Sequence, residues 1–426
     1  MTMFGSQWLA NAGASYEIDQ SIRFNDDDSA YLTRTPGSAG NQRTFTFSTW
    51  VKFCTIKADN TLFSSWIASG ASAYALIYID SSFRLRFEDQ NNTKIITTQV
   101  FRDTSAWYHV VVRVDTTDST SGDRYQMYIN GSRVTSFKTE TQPAVNYQTN
   151  VNKAQPHYLG RNGYSAAMLY SDLYQAETHF IDGTALDASS FGETNDDGVW
   201  VPKAYDGSYG TNGFYITGET AGDLGEDFSG NNNDFTSSGL TTADQMLDTP
   251  TLNYPTLNSV VIYQSGLLLS DGNLDAFGSS GSGWNLIPAT MQIPSTGKWA
   301  FECTILSSGY IMIGFASAKD INNFQGSGKY FSLMQNAGWL YNTETNKRVN
   351  GSNTNSGGLA GLTTNDVVEC MIDNDAGTMT FLKNGSAYAS LSGLNPLEQP
   401  AIAVYTNGAY RAKVDFGQID YVPSDS

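Results

Sequence analysis

A hydrophobic period of two, broken by Asn-Gly dipeptides, governs most of this sequence. Thr44-Phe-Thr-Phe-Ser-Thr-Trp-Val51, Phe83-Arg-Leu-Arg-Phe87, Tyr125-Gln-Met-Tyr-Ile129 and Thr378-Met-Thr-Phe-Leu382 alternate apolar and polar side chains. Successive side chains of a strand point to opposite faces, so such runs predict half-buried antiparallel strands. Asn-Gly pairs begin at Asn130, Asn162, Asn212, Asn350, Asn384 and Asn407, and this dipeptide suits the positive-φ positions of tight hairpin turns. Long amphipathic helical patterns are missing, and the best helical candidate is a short segment over residues 185–191. The expected fold class is all-β, built as sandwiches.

Two stretches share one grammar. His109-Val-Val-Val-Arg-Val-Asp115 is followed by a polar loop, then Arg124-Tyr-Gln-Met-Tyr-Ile129 and Asn130-Gly-Ser132. Val367-Val-Glu-Cys-Met-Ile-Asp373 leads to a short loop, then Thr378-Met-Thr-Phe-Leu-Lys383 and Asn384-Gly-Ser386. Each is a strand ending in Asp, a turn, a strand and an Asn-Gly turn. The repetition predicts two sandwich domains of related architecture rather than a short-period solenoid. The expected boundaries are an N-terminal anchoring segment 1–15, a first sandwich 16–217, a polar linker 218–257 and a second sandwich 258–426. The linker is acidic and carries Pro250 and Pro255, yet its Phe228, Phe235, Met246 and Leu247 predict that it packs onto something.

Charge excludes several functions. The 426 residues hold 24 Lys+Arg and 42 Asp+Glu, a net charge of −18. An acidic chain without a basic run is a poor binder of nucleic acid or anionic lipid. No stretch approaches the roughly 18 apolar residues of a membrane helix, so no membrane insertion is expected. Met1-Thr-Met-Phe-Gly-Ser-Gln-Trp8 lacks a basic and an apolar region, so no secretory signal is expected. Cys54, Cys303 and Cys370 form no CxxC pair and read as buried small hydrophobes.

Four segments carry a family resemblance: Ser21-Ile-Arg-Phe-Asn25, Phe45-Thr-Phe-Ser-Thr-Trp-Val51, Trp107-Tyr-His-Val110 and Tyr128-Ile-Asn-Gly131. They resemble the laminin-G-like branch of the concanavalin A-like jelly rolls. Gly297-Lys-Trp-Ala-Phe-Glu302, Ile313-Gly-Phe315, Asp366-Val-Val368, Gly377-Thr-Met-Thr-Phe381 and Asn384-Gly385 resemble a SPRY-type sandwich. The resemblance thus implies two concanavalin A-like antiparallel β-sandwich (jelly-roll) domains joined by the polar linker. The pair in one chain, with Tyr16-Glu-Ile-Asp-Gln-Ser-Ile-Arg-Phe-Asn-Asp-Asp-Asp28 and Ala243-Asp-Gln-Met-Leu-Asp-Thr-Pro250, resembles virion proteins of marine tailed bacteriophages. That implies a place on a particle surface and names no ligand.

Enzymatic chemistry finds little foothold. Glycosidases of the jelly-roll type place Glu-x-Asp-x-Glu, or one residue more, on one strand face. Glu17-Ile-Asp19 begins the pattern, but Ser21 and Ile22 stand where the third carboxylate belongs. His109, His157 and His179 form no zinc motif, and no Gly-x-Ser-x-Gly occurs. Calcium is the expected small ligand, because hard cations need clustered oxygen donors. Asp227-Phe-Ser-Gly-Asn-Asn-Asn-Asp234 gathers Asp227, Asn231, Asn233 and Asp234. The alternative reading of the same residues is an Asx-rich turn that holds itself together. Asp26–Asp28 and the loop acids Asp115, Asp118 and Asp123 are lesser clusters.

Sugar binding needs aromatic faces beside polar side chains. Tyr205, Tyr209 and Tyr215 in the Gly/Asn-rich run 205–215, with Trp339 and Tyr341, are the expected glycan-binding residues. Tyr405-Thr-Asn-Gly-Ala-Tyr410 has similar composition. In the SPRY-like half, loops near 317–328 and 341–358 are where the resemblance implies binding. The expected function is a non-enzymatic virion surface protein: tail fibre, tail or capsid appendage, adhering to host surface or glycan. Its expected partners are other virion proteins and copies of itself, as a trimer. A calcium-dependent lectin module of a secreted protein and a polysaccharide depolymerase are the alternatives.

Overall fold

The computed structural model describes residues 2–3, 16–55, 60–66, 73–90, 93–163, 169–261, 266–280, 283–317, 319, 337–341, 346–349, 352–355, 361–406 and 408–419. The protein is all-β and forms two antiparallel sandwiches. They fall in two compact units, residues 9–253 and residues 254–426 with 1–8.

In the first unit one sheet runs in the order Ser132–Arg133, Tyr125–Ile129, Tyr108–Asp115, Thr44–Phe53, Leu173–Asp182, Ser21–Phe24 and Gln245–Met246. The facing sheet runs Phe137–Thr141, Thr93–Thr97, Leu85–Asp89, Tyr74–Ile79, Asn60–Trp66, His157–Leu159, Tyr31–Arg34 and Thr236–Ser238. Alternation on Thr44–Phe53 sends Phe45, Phe47, Val51 and Phe53 into the core between the sheets. There Phe47 stacks on Phe63 at 5.0 Å and Phe45 lies 5.5 Å from Phe180. The polar alternates do not face water. Thr46, Ser48 and Lys52 are buried, because residues 183–253 cover the sheet's outer face. Thr46 bonds both the Thr184 carbonyl and the Leu186 N–H.

The segment expected as a linker is therefore, over 218–253, part of the first sandwich. Thr236–Ser238 pairs with Tyr31–Arg34, and Gln245–Met246 pairs with Ser21–Phe24. Leu224, Phe235 and Met246 are buried. Buried ion pairs pin it: Arg23 to Asp244 at 3.0 Å and Lys52 to Asp248 at 2.7 Å. The expected helix over 185–191 is one turn of 3-10 helix, Ala188–Ser190, whose Ser189 N–H is capped by the Asp187 side chain.

The second unit has one sheet ordered Leu267–Ser270, Asp275–Gly278, Tyr410–Asp415, Lys298–Ser307, Val367–Asp373, Thr378–Lys383 and Ser386–Ser392. Its other sheet runs Trp284–Pro288, Gln399–Tyr405, Ile311–Ala316, Ala337–Tyr341, Asn346–Val349 and Ser352–Asn355. Phe301 meets Phe315 and Phe416 in the core, each at 5.4 Å. Thr2 and Met3 pair in parallel with Trp299 and Ala300, so the start of the chain is a strand of this unit. The remainder of the expected anchoring segment, residues 4–15, lies outside the described residues.

The repeated grammar has one geometry. The Asn130 side chain accepts from the His109 N–H at 2.7 Å, and Asn384 accepts from Val367 N–H at 2.9 Å. Asn130 and Gly131 have φ 46° and 78°, Asn384 and Gly385 φ 50° and 74°. Both are hairpin turns with two successive positive-φ residues, as the dipeptide predicts. Cys54, Cys303 and Cys370 are buried thiols outside any disulfide.

Candidate functional site

The outer face of the first sandwich carries a polar and aromatic layer beside a buried apolar cluster of Val111, Ile181, Ala188 and Phe191, with which Tyr205, Tyr209 and Tyr215 pack. Leu173–Asp182 breaks register between Ala176 and His179, and Glu177 sits in this irregularity at φ 49°. A bulge re-aims its side chain, here toward the covering segment. Glu177 Oε1 accepts from the Tyr215 hydroxyl at 2.6 Å, and Oε2 accepts from the Tyr16 hydroxyl at 2.8 Å. The two hydroxyl oxygens lie 2.9 Å apart. His179 Nε2 is 3.6 Å from Glu177 Oε2, and its Nδ1 is 2.9 Å from the Tyr209 hydroxyl.

Stacking fixes the rings. His179 lies on Tyr215 at 4.3 Å and 9° between planes, and Tyr209 is near-parallel to Tyr215 at 6.1 Å. Tyr205 stands edge-on to Tyr209 at 5.2 Å, and the exposed Phe228 stands edge-on to Tyr215 at 6.5 Å. Burial, then the charge of Glu177, raises the phenol pKa of Tyr16, Tyr209 and Tyr215. These hydroxyls stay protonated donors. Burial and then Glu177, Asp19 and Glu226 also raise Glu219.

His109 adjoins this layer. Its ring lies 4.8 Å from Trp50 and 6.0 Å from Trp200, near-parallel to both. The Trp200 indole N–H donates to Nδ1 at 3.0 Å, which leaves the proton on Nε2 for the Ser48 hydroxyl at 2.9 Å. Burial and then His179 push the imidazole pKa down to about 3. It is a packed, neutral histidine.

Of the expected glycan-binding residues, Tyr205, Tyr209 and Tyr215 lie in this one cluster, Tyr209 buried and Tyr205 and Tyr215 half-buried. Tyr16, Glu177 and His179, which join them, were not among the expected binding residues. Glu177 and His179 stand two residues apart on a strand that is buried from Leu173 to Ile181. Trp339 requires a correction. It is 1% exposed and packs with Leu286, Met312, Ala401 and Ala403, so its ring is structural. Tyr341 ends the strand Ala337–Tyr341, and its side chain lies outside the described residues, as do most of the loops 317–328 and 341–358. Residues 16–20 are not a strand, and Glu17 and Asp19 are exposed there, so they share no strand face.

The expected calcium set is used otherwise. Asp227 Oδ1 accepts from the N–H groups of Tyr215 and Ser229 at 2.8 and 2.9 Å. Its Oδ2 accepts from the Ser229 hydroxyl and Asn233 N–H at 2.7 and 2.8 Å. Asp234 accepts from the Asp227 N–H at 2.9 Å. The amides of Asn231 and Asn233 donate to the Gly213 carbonyl at 3.0 and 2.7 Å, and the Asn233 oxygen accepts from Arg34. A cation needs unoccupied oxygens turned inward, and this set does not fit one. Among the described residues no group of three or more His, Cys, Asp or Glu side chains is arranged to hold a metal ion. No helix among them is long and apolar enough to cross a membrane.

Residues 25–173 match the family model described as the concanavalin A-like lectin/glucanases superfamily, of the laminin G type, and residues 298–408 match the SPRY domain. Among solved structures, the SPRY domain of human HERC1 is similar at 13% identity and a TM-score of 0.32, over 39% of this chain and 99% of that one. A human SPRY domain is similar at 14% identity and 0.29, over 36% and 96%. The TRIM65 PSpry domain is similar at 12% identity and 0.31, over 38% and 91%. No curated protein matches the sequence.

Proposed function

We propose that this chain, a concanavalin A-like sandwich followed by a SPRY sandwich, is a non-enzymatic binding protein on the surface of a tailed-phage particle. It serves there as a tail fibre, tail or capsid appendage that adheres to the host surface or its glycans. The two matched domain types support a binding role. The observation that carries the glycan reading is the tyrosine layer of the first sandwich. Its half-buried rings are held by stacking and by Glu177, beside the exposed Phe228. Fixed aromatic faces stack on the C–H face of a sugar at little cost in side-chain entropy. Particle display rests on the sequence: the acidic, Gly/Asn-rich composition and the resemblance of the two-domain arrangement to virion proteins.

A catalytic role has less support. Both oxygens of Glu177 already accept tyrosine hydroxyls, and Glu17 and Asp19 are exposed outside any strand. A calcium-dependent lectin would need donors that the 227–234 turn has already turned to protein. Electron microscopy of intact particles labelled with antibody to this chain tests the proposal. Label at distal tail or fibre tips is the expected result. Label on no particle would overturn the virion reading.

A further inference from the structure

The edge of the first sandwich holds a pocket away from the tyrosine layer. Tyr125–Ile129 and Ser132–Arg133 close one sheet, and Phe137–Thr141 is the edge of the other. Between them lies a pocket of about 260 Å³ lined by Tyr125, Gln126, Arg133, Val134, Phe137 and Glu140, with Gly122 and Thr135. The hairpin at Asn130-Gly131 sets Arg133 opposite Tyr128, and the Val134 N–H bonds the Met127 carbonyl at 2.9 Å. A register break between Phe137 and Thr139 bends the opposing edge.

Apolar and polar groups divide the lining. Tyr125 is buried, with its ring edge-on to Phe87 at 4.8 Å, and Val134 and Phe137 are half-buried. The charged groups are held in place by neighbours. One Arg133 nitrogen donates to Asp123 at 2.6 Å and to the Gly122 carbonyl at 3.1 Å. Gln126 donates to the same Asp123 oxygen at 2.9 Å. Gln142 donates to Glu140 Oε1 at 3.0 Å and to the Tyr125 carbonyl at 3.1 Å. Arg133 keeps N–H groups, and Glu140 keeps an oxygen, that no group among the described residues takes.

These features select a ligand class. Drug-sized ligands occupy roughly 300–1,000 Å³, so this volume suits a single sugar ring. Each sugar hydroxyl both donates and accepts, which needs a donor and an acceptor side by side. Arg133 and Glu140, which line the same pocket, supply one of each, while Val134 and Phe137 offer a surface for ring C–H groups. An anion would meet Glu140, and a hydrocarbon would desolvate both charges without partners. We propose that this pocket binds one neutral pyranose residue, a chain end or side branch of a host-surface glycan. The inference rests on the adhesion reading and gives it a subsite.

Saturation-transfer NMR on the intact chain tests it, with methyl glycosides of glucose, galactose and mannose and with N-acetylglucosamine as probes. Glycine and inorganic phosphate serve as zwitterionic and anionic controls. At least one neutral sugar is expected to bind. Glu140→Ala should weaken it about tenfold, the loss of one charged hydrogen bond. Thr135→Trp, at an exposed lining position, should block it, and Leu268→Ala, at an exposed position of the second unit, should leave it unchanged. Absence of any sugar signal, equal binding by both pocket variants, or binding of glycine or phosphate in place of sugar would overturn the pocket. If the intact chain retains host glycans equally with and without the pocket variants, adhesion stands and the pocket fails. If monosaccharide binds in a Glu140-dependent way but no host surface is retained, the pocket stands and adhesion fails.

Discussion

Lys52 and Asp248 show how single residues hold the covering segment down. The Lys52 ammonium also donates to Asn253 at 2.9 Å, and the Trp107 indole donates to the second Asp248 oxygen at 3.0 Å. All the charge is buried. Removing one partner leaves the other unpaired in a low-dielectric site, so Asp248→Ala should cost about 3–5 kcal/mol in urea unfolding. Lys52→Met with Asp248→Leu should recover part of that loss, because it removes the unpaired charge but leaves the Trp107 indole and the Asn253 amide without these partners. A single-variant effect under about 1 kcal/mol would show the pair to be solvent-screened. Sequence alone hid this pair: Lys52 falls at a polar position of an alternating strand, which reads as facing water. Trp339 was misread for a related reason, since period two in Trp339-Leu-Tyr341 does not say which face is inward.

At the scale of the element, turns carry the clearest contrasts. The twin hairpins at Asn130 and Asn384 were legible because the dipeptide favours positive φ, whereas Asn162-Gly163 and Asn212-Gly213, expected as turns of the same kind, take no positive φ. Their surroundings differ. A Cβ on Gly385 meets nothing within 4 Å, whereas one on Gly131 would sit 2.3 Å from the Trp200 ring. Gly385→Ala should therefore cost only the left-handed backbone term, about 1–2 kcal/mol. Gly131→Ala should add about 1–3 kcal/mol of overpacking. Equal losses in thermal unfolding would contradict the ring contact. The 227–234 turn was legible as an Asx cluster, but the same side chains serve a cation site or a closed turn. Only the donors on Asp227 decide between them. Asp227→Ala should destabilise the first sandwich by about 3 kcal/mol, and calcium or chelator should shift the wild-type melting temperature by less than about 1 °C. The strands Thr236–Ser238 and Gln245–Met246 are too short to leave a period in a polar segment, which is why 218–253 reads as linker.

For the whole molecule, the two sandwich units differ in acid sensitivity, because the buried His109 and His157 both lie within residues 9–253. Burial holds His109 and His157 neutral, with pKa values down to about 3 and about 4. The unfolded chain binds protons that the folded one refuses, so stability falls as pH drops from about 6.5 toward 4. Asp89 opposes this. Burial raises it to about 6, a stabilisation complete below the unfolded carboxylate value and lost as pH rises through 6. Two histidines outweigh one carboxylate, and the net loss between pH 7 and 4 is on the order of 3 kcal/mol. Calorimetry should show two transitions, the one from residues 9–253 falling on acidification with no histidine-linked fall in the other. The edge pocket stayed invisible in the sequence because its lining comes from both sheets. The binding role itself is tested most directly by exposing the intact chain to immobilised host-envelope polysaccharides and assaying retained protein and released oligosaccharide together. Saturable retention without shortening of the polysaccharide is expected. Release of oligosaccharides, or no retention on any host surface, would contradict a non-enzymatic adhesin.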